Sequence, residues 1–291
     1  LSAFNIQKRL PQFYPVRKPI FIIGIGRSGT TALGTVLSMH KEVGFLNEPK
    51  ALWHSIYPQE DLVGSYSRGS AKYRLYTSDA SEQVCRCAHR LFGAYLKVTA
   101  SQRVVDKYPE LIFRIPFVLK LFPDAKFIFL VRNGYSTCDS ILKWSQRLGV
   151  DTKVEHHNWW GVDNRKWHLL WEQIIKNDPF FRNILSIQDY CINALDMAVI
   201  EWITAMREGL KSLNQYSGNI HMIRYEDLTT QPQQYLHQIL EFCELSADDR
   251  FMGYATKTLK PTASIVPFPI SSLLQDPFRQ TMSTLGYVVA S

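Results

Sequence analysis

Polar stretches separate short runs in which apolar residues follow one another without alternation. Pro19-Ile20-Phe21-Ile22-Ile23-Gly24-Ile25 and Lys126-Phe127-Ile128-Phe129-Leu130-Val131 are the clearest, with Val104-Val105 a shorter one. Ile220-His221-Met222-Ile223-Arg224-Tyr225 is more mixed. Unbroken apolar runs of this length are expected of strands buried on both faces. Between them the period changes to that of a helix. Thr30 to Met39 places Leu33, Val36 and Leu37 on one face, and Leu111 to Phe122 has helical spacing ended by Pro123-Asp124. Helices are also expected over Tyr135–Leu148, Gln188–Leu213 and Tyr235–Phe242. Strands alternating with helices at this spacing predict an α/β chain, three layers around a central parallel sheet. Ligands in such sheets bind where strands end and turn into helices.

Residues 1–17 read as a polar lead-in, and two later stretches break the rhythm. Residues 50–100 are mixed and Tyr-rich, and residues 150–187 hold Trp159, Trp160, Trp167 and Trp171. The expectation is one domain over 1–291, with these two stretches as helical insertions forming lids or acceptor-pocket walls. Core filling explains the four Trp as well as a pocket does.

Composition narrows the picture. With 46% hydrophobic, 13% aromatic and 20% charged residues in 291, the chain has material for a large core and does not read as disordered. The net charge of +7 is scattered, without basic blocks or a nucleic-acid motif, so no nucleic-acid partner is expected. No apolar run approaches the roughly 20 residues a membrane helix needs. Cys85, Cys87, Cys138, Cys191 and Cys243 are odd in number and lack framework spacing, which points to reduced thiols and a cytoplasmic compartment. The chain starts at Leu1 without a Met, which leaves room for a trimmed upstream segment. Cys85, Cys87 and His89 form a Cys-x-Cys-x-His run, yet nothing nearby completes a four-ligand set, so no metal is expected.

The chemistry concentrates after the first strand. Gly24-Ile25-Gly26-Arg27-Ser28-Gly29-Thr30-Thr31 has the frame of a phosphate-binding P-loop, with a strand before it and a helix after. Glycines let the backbone wrap closely, and the amides at the helix start point at an anion. A magnesium–nucleotide loop needs Lys where this chain has Thr30, because that ammonium reaches the β- and γ-phosphates. A basic residue lies three positions earlier instead, at Arg27.

That arrangement resembles the 5′-phosphosulfate loop of the sulfotransferases that use 3′-phosphoadenosine 5′-phosphosulfate (PAPS). Arg27-Ser28-Gly29-Thr30-Thr31 is similar to the form found in the bacterial and tyrosylprotein branch. Leu130-Val131-Arg132-Asn133 with Ser140 looks like the family's 3′-phosphate segment; Arg132 offers a planar fork to a phosphate and Ser140 donates from the next helix. Ile223-Arg224-Tyr225-Glu226-Asp227-Leu228 is similar to the segment whose Tyr lies by the nucleotide. Asp106-Lys107-Tyr108-Pro109 and Leu285-Gly286-Tyr287 match two further stretches. Trp144 stands where tyrosylprotein members often carry a second Arg, and the C-terminal nucleotide contact is open between Lys257 and Lys260.

The resemblance implies a P-loop-like fold with PAPS as co-substrate, bound by Gly26, Arg27, Ser28, Gly29, Thr30, Thr31, Arg132, Ser140 and Tyr225. It also implies transfer of a sulfuryl group in line to an acceptor hydroxyl. Arg27 and Lys107 would neutralise the leaving oxygen and Glu48 would act as general base. His40, His54 and His89 are rival bases. The acceptor stays open among carbohydrate, lipid, small alcohol and protein tyrosine, with a glycan or small molecule favoured. Two alternatives stand: a P-loop kinase or NTPase, and a non-catalytic nucleotide-binding module of the same fold.

Overall fold

The apolar runs of the sequence become the strands of one parallel sheet. The computed structural model describes residues 14–151, 156–182, 193–262 and 267–288. In chain order, β1 (Ile20–Gly24) leads into α1 (Thr30–Leu37), then β2 (Val43–Asn47) and α2 (Lys50–Ile56). There follow α3 (Glu82–Thr99), β3 (Arg103–Lys107), α4 (Ile115–Leu121), β4 (Lys126–Val131) and α5 (Gly134–Leu148). Three short strands, β5 (Val150–Asp151), β6 (His156–Asn158) and β7 (Gly161–Val162), precede α6 (Arg165–Gln173) and α7 (Ala194–Gln215). The chain closes through β8 (Ile220–Arg224), α8 (Tyr225–Thr230), α9 (Pro232–Cys243), α10 (Asp249–Thr258) and α11 (Ser272–Thr284).

Within the described residues the chain divides into two compact units, one from 14–57, 75–131 and 209–262, the other from 58–74, 132–208 and 267–288. The first unit holds the parallel sheet, in the order β2-β3-β1-β4-β8, which bears out the expected α/β class. The central strand β1 is buried throughout, as its apolar run requires, and β3 is buried throughout although Arg103, Asp106 and Lys107 flank its Val104-Val105 pair. At the edges, β2 and β8 are only partly buried, which is why their sequences are mixed. On one face Ile20, Ile22, Val105, Ile128 and Leu130 pack with Leu33, Val36 and Leu37 of α1 and Leu236, Ile239 and Leu240 of α9. On the other, Phe21 sits among Trp53, Phe92, Phe122 and Phe127 at ring separations of 5.5–6.4 Å. Burying each such ring contributes roughly 1.5–3 kcal/mol.

The helix expected over Leu111–Phe122 is broken. A 3₁₀ turn covers Pro109–Phe113, and α4 starts only at Ile115, with Arg114 between them at φ −135°. Pro116 lacks an N–H, so it fits the first turn of a helix but not its interior. The expected start of the long helix at Gln188 lies outside the described residues.

In the second unit β5, β6 and β7 make a small antiparallel sheet. Trp160, Trp167, Trp171, Phe181, Trp202 and Phe278 are buried there. Three of the four clustered Trp therefore fill a core, while Trp159 stays partly exposed, edge-on to Trp144 at 5.5 Å. Of the stretch 50–100, α2 and α3 belong to the first unit and 58–74 to the second. Among the described residues no helix is long and apolar enough to cross a membrane.

Candidate functional site

Parallel pairing brings the strand ends of the first unit to one edge of its sheet. Register pairs Asn47 with Lys107, Ile22 with Lys107 and Gly24 with Leu130. The turn after β1, the residue after β2 and the last residue of β3 thus share that edge.

The turn is shaped by its backbone. Gly24 has φ 147°, and a Cβ there would lie 2.6 Å from the Leu130 carbonyl oxygen. Gly29 has φ 91°, and its Cβ would meet the Tyr225 ring at 2.2 Å. Only glycine fits both demands. Ser28 is buried and its hydroxyl donates to the Ile25 carbonyl at 2.6 Å, closing the turn from inside. Arg27 is exposed and left-handed at φ 70°, a conformation that costs a non-glycine residue about 1–3 kcal/mol. Helix α1 then opens with Gly29 as a cap that supplies no side-chain acceptor, the kind of helix start whose amides can meet an anion. Thr30 is buried at this mouth and Thr31 exposed.

Tyr225 is the first residue of α8 rather than the last of β8, and its ring lies against Gly29. Arg224, just before it, makes a two-pronged pair with Asp227 at 2.7 and 2.9 Å. The loop and the Tyr named with it on sequence grounds are therefore in contact.

Glu48 follows β2 directly. Its backbone is left-handed at φ 49°, its amide donates to the Lys107 carbonyl at 2.8 Å, and its Oε1 accepts from the Lys107 ammonium. The Lys107 side chain is 4% exposed and that of Glu48 35%, so the pair presents a carboxylate to solvent and keeps its ammonium covered. A second ammonium, Lys50, stands 3.9 Å from Oε2. Lys107 faces α1, where a Cβ on Gly34 would lie 3.5 Å from the Lys107 Cβ.

Of the rival bases, His40 is buried with Nε2 2.8 Å from the Ser246 carbonyl, and His89 Nε2 is 2.8 Å from that of Leu121. His54 lies on α2. Cys85 and Cys87 direct their thiols at the carbonyls of Lys120 and Ser55. Burial pushes the Cys243 thiol up to about 12. Lys257 and Lys260 are both exposed. Cys191 lies outside the described residues.

Arg132 and Ser140 belong to the second unit. The Arg132 carbonyl accepts from the Trp202 indole at 3.2 Å, and Asn133 caps α5 by accepting from the Ser136 amide at 3.3 Å. Ser140 is a partly buried residue two turns into α5.

Two polar features escape a reading of the sequence. One is the Lys166–Glu201 ion pair, 2.7 Å apart and buried, whose carboxylate also accepts from the indoles of Trp159 and Trp160 at 2.9 Å. The other joins Trp53 to Asp106, Nε1 to Oδ2, at 2.7 Å. Asp106 stands inside the Asp-Lys-x-Pro stretch; its partner lies on another element, where no local pattern connects them.

Residues 19–182 match the model of a family described as the Sulfotransferase family. The chain belongs to the sulfotransferase family. The resemblance carried by Arg27-Ser28-Gly29-Thr30-Thr31 and its companion stretches is borne out at that level. This sulfotransferase-family chain is 26% identical over 261 residues to an uncharacterized protein of Aquifex aeolicus, covering 87% of this chain and 29% of that one. It is 24% identical over 247 residues to a protein-tyrosine sulfotransferase of Drosophila melanogaster, covering 83% of this chain and 41% of that one. The chain thus spans less than half the length of either relative. The solved sulfotransferase domain from the curacin biosynthetic pathway shares the fold, at TM-score 0.57 and 20% identity, covering 95% of this chain and all of that domain.

Proposed function

We propose that this chain transfers a sulfuryl group from PAPS to an acceptor hydroxyl. The observation that carries the reading is the turn after β1: a tight glycine turn opening a helix, with Thr30 where a nucleoside-triphosphate loop needs Lys. In this reading the Gly26–Thr31 amides and hydroxyls hold the 5′-phosphate, with Tyr225 backing the turn. Arg27 and Lys107 face the oxygen on which charge grows as the sulfur–oxygen bond breaks. Glu48 takes the acceptor proton as the new bond forms, and the sulfuryl group moves in line between the two oxygens. Arg132 and Ser140 are assigned to the 3′-phosphate on their motif.

A glycan or small-molecule hydroxyl is the acceptor favoured by the sequence. The name of the Drosophila relative supports a second one, the phenol of a protein tyrosine. Labelled PAPS offered with a panel of sugars, small alcohols and tyrosine peptides separates the two. Turnover of ATP or GTP with PAPS ignored would instead install the kinase or NTPase reading.

The donor assignment has its own test in calorimetry. Adenosine 3′,5′-bisphosphate is expected to bind far better than 5′-AMP. Arg132→Ala is expected to weaken the bisphosphate on the order of tenfold or more, since a charge-assisted bond contributes about 1.5–3 kcal/mol. Equal affinity for the two nucleotides would remove Arg132 and Ser140 from the site.

A further inference from the structure

Glu48 occupies an unfavourable place for a reacting group. It is the pivot between β2 and α2, left-handed at φ 49°, with a third of its side chain in solvent. A non-glycine residue holds such a conformation only where its surroundings over-determine it. Two tethers do so, and both end on neighbouring residues of β3. At the near end, the Glu48 amide donates to the Lys107 carbonyl at 2.8 Å and its carboxylate takes the Lys107 ammonium. At the far end, the Trp53 indole donates to Asp106 at 2.7 Å. Between them the turn is wound on itself, with Lys50 N–H donating to Glu48 and Trp53 N–H to Pro49, at 2.7 and 3.1 Å.

We propose that Trp53 and Asp106 are positioning residues for the proposed reaction, clamping the first turn of α2 to β3 so that Glu48 is held in its strained pose beside Lys107. Adjacent strand residues point to opposite faces. Lys107 therefore reaches the α1 side, where Gly34 lies against it, while Asp106 reaches the side of Trp53 and Tyr95. Tyr95 adds a third restraint, its hydroxyl donating to the Phe45 carbonyl of β2 at 2.7 Å. Burial first, and then the Asp106 charge, push this phenol above its ordinary value, which agrees with a carboxylate facing it.

Stability alone does not require the polar pair. Trp53 is buried among Phe21 and Phe92, and Asp106 is buried completely. Replacing both members of a buried polar pair by apolar groups of similar shape is often neutral or stabilising. A hydrogen bond adds what an apolar contact lacks: it fixes one atom of α2 over one atom of β3.

The inference rests on the proposed sulfuryl transfer for its kinetic arm and on nothing but the fold for its second arm. The test uses the full chain and the variants Trp53→Phe, Asp106→Asn and Trp53→Phe/Asp106→Leu. The double variant is expected to remain folded, with a denaturation midpoint near that of wild type and unchanged affinity for adenosine 3′,5′-bisphosphate. Its single-turnover rate is expected to fall ten- to a hundredfold, roughly the penalty of a misplacement near 1 Å. Asp106→Asn keeps an oxygen for the indole and should restore most of the rate. In parallel, amide hydrogen exchange at Glu48 and Lys50 should quicken on the order of tenfold in the double variant and in Trp53→Phe, with α1 and α9 unchanged. Wild-type rates and wild-type exchange in a folded double variant would overturn the clamp, as would a rate that falls only with the folded fraction. If wild type transfers no sulfuryl group but exchange responds as stated, the reaction assignment fails and the clamp stands.

Discussion

Lys166 and Glu201 in the second unit meet at 2.7 Å with 3% and 5% of their side chains exposed, and two indole N–H groups hold the other carboxylate oxygen. The Lys166 ammonium also lies 4.7 Å over the Trp159 ring. Lys107 and Glu48 in the first unit are the same two groups under different terms. The ammonium is covered, the carboxylate is 35% exposed, and its backbone is left-handed. A second ammonium waits at 3.9 Å. Where both carboxylate oxygens are held by donors and water is excluded, a carboxylate has nowhere to take a proton from. Where one face is open and the pose is held from outside, the carboxylate can exchange partners. Burial and partner number, not residue type, separate the structural pair from the one proposed to react.

The sharpest way to break this comparison is to remove one charge from each pair. Glu48→Gln keeps shape and hydrogen bonding but not basicity. Turnover is expected to fall about 10²–10⁴-fold, the usual contribution of a general base. The bisphosphate nucleotide should bind at least as well, because Lys107 loses its resting counter-charge. Near-normal turnover on a verified acceptor would dismiss Glu48 as the base and bring His54 forward.

Glu201→Gln should do the reverse. Removing one partner leaves Lys166 buried without its counter-charge, an effect of about 3–5 kcal/mol. Urea unfolding should register that loss, while rate per folded molecule stays near wild type. A full-stability Glu201→Gln protein with lost turnover would invert the two roles.

The difference between the units also marks what a linear reading reaches. Gly24 to Thr31 was legible because its chemistry is local: the strand, the turn and the helix mouth are consecutive, and Gly29 needs its φ wherever the chain goes. β1 and β4 were legible because central strands are apolar on both faces. β2 was not, since Val43-Gly44-Phe45-Leu46-Asn47 lies at the sheet edge and its last three residues are not fully buried. The Glu48–Lys107 pair was named as two separate residues, and only register on adjacent strands makes them partners. Glu201 had no signal at all. A lone Glu in an apolar helix reads as a surface residue until Lys166 and two indoles close on it.

The smallest effect comes from a polar group that has burial without a counter-charge. His221 on β8 is partly buried and stacked on Phe242 at 5.2 Å, and its Nε2 finds no hydrogen-bond partner among the described residues. Burial lowers its pKa below the ordinary imidazole value of about 6.5. The Lys126 ammonium lies 4.8 Å over the same Phe242 ring. As pH falls through about 6.5 the unfolded chain takes up the proton first, and the folded chain resists until its lower value is passed. The stability this group supplies is therefore complete above that pH and drains away on the acid side. His221→Phe keeps the stacking surface and removes the titration. Urea midpoints followed from neutral pH to about 5 should drop more steeply in wild type than in the variant, while the carboxylates common to both cancel in the difference. Parallel slopes would show that a partly open site hydrates His221 well enough to escape any burial cost. Exposure would then outweigh partner number in separating the two kinds of polar group compared above.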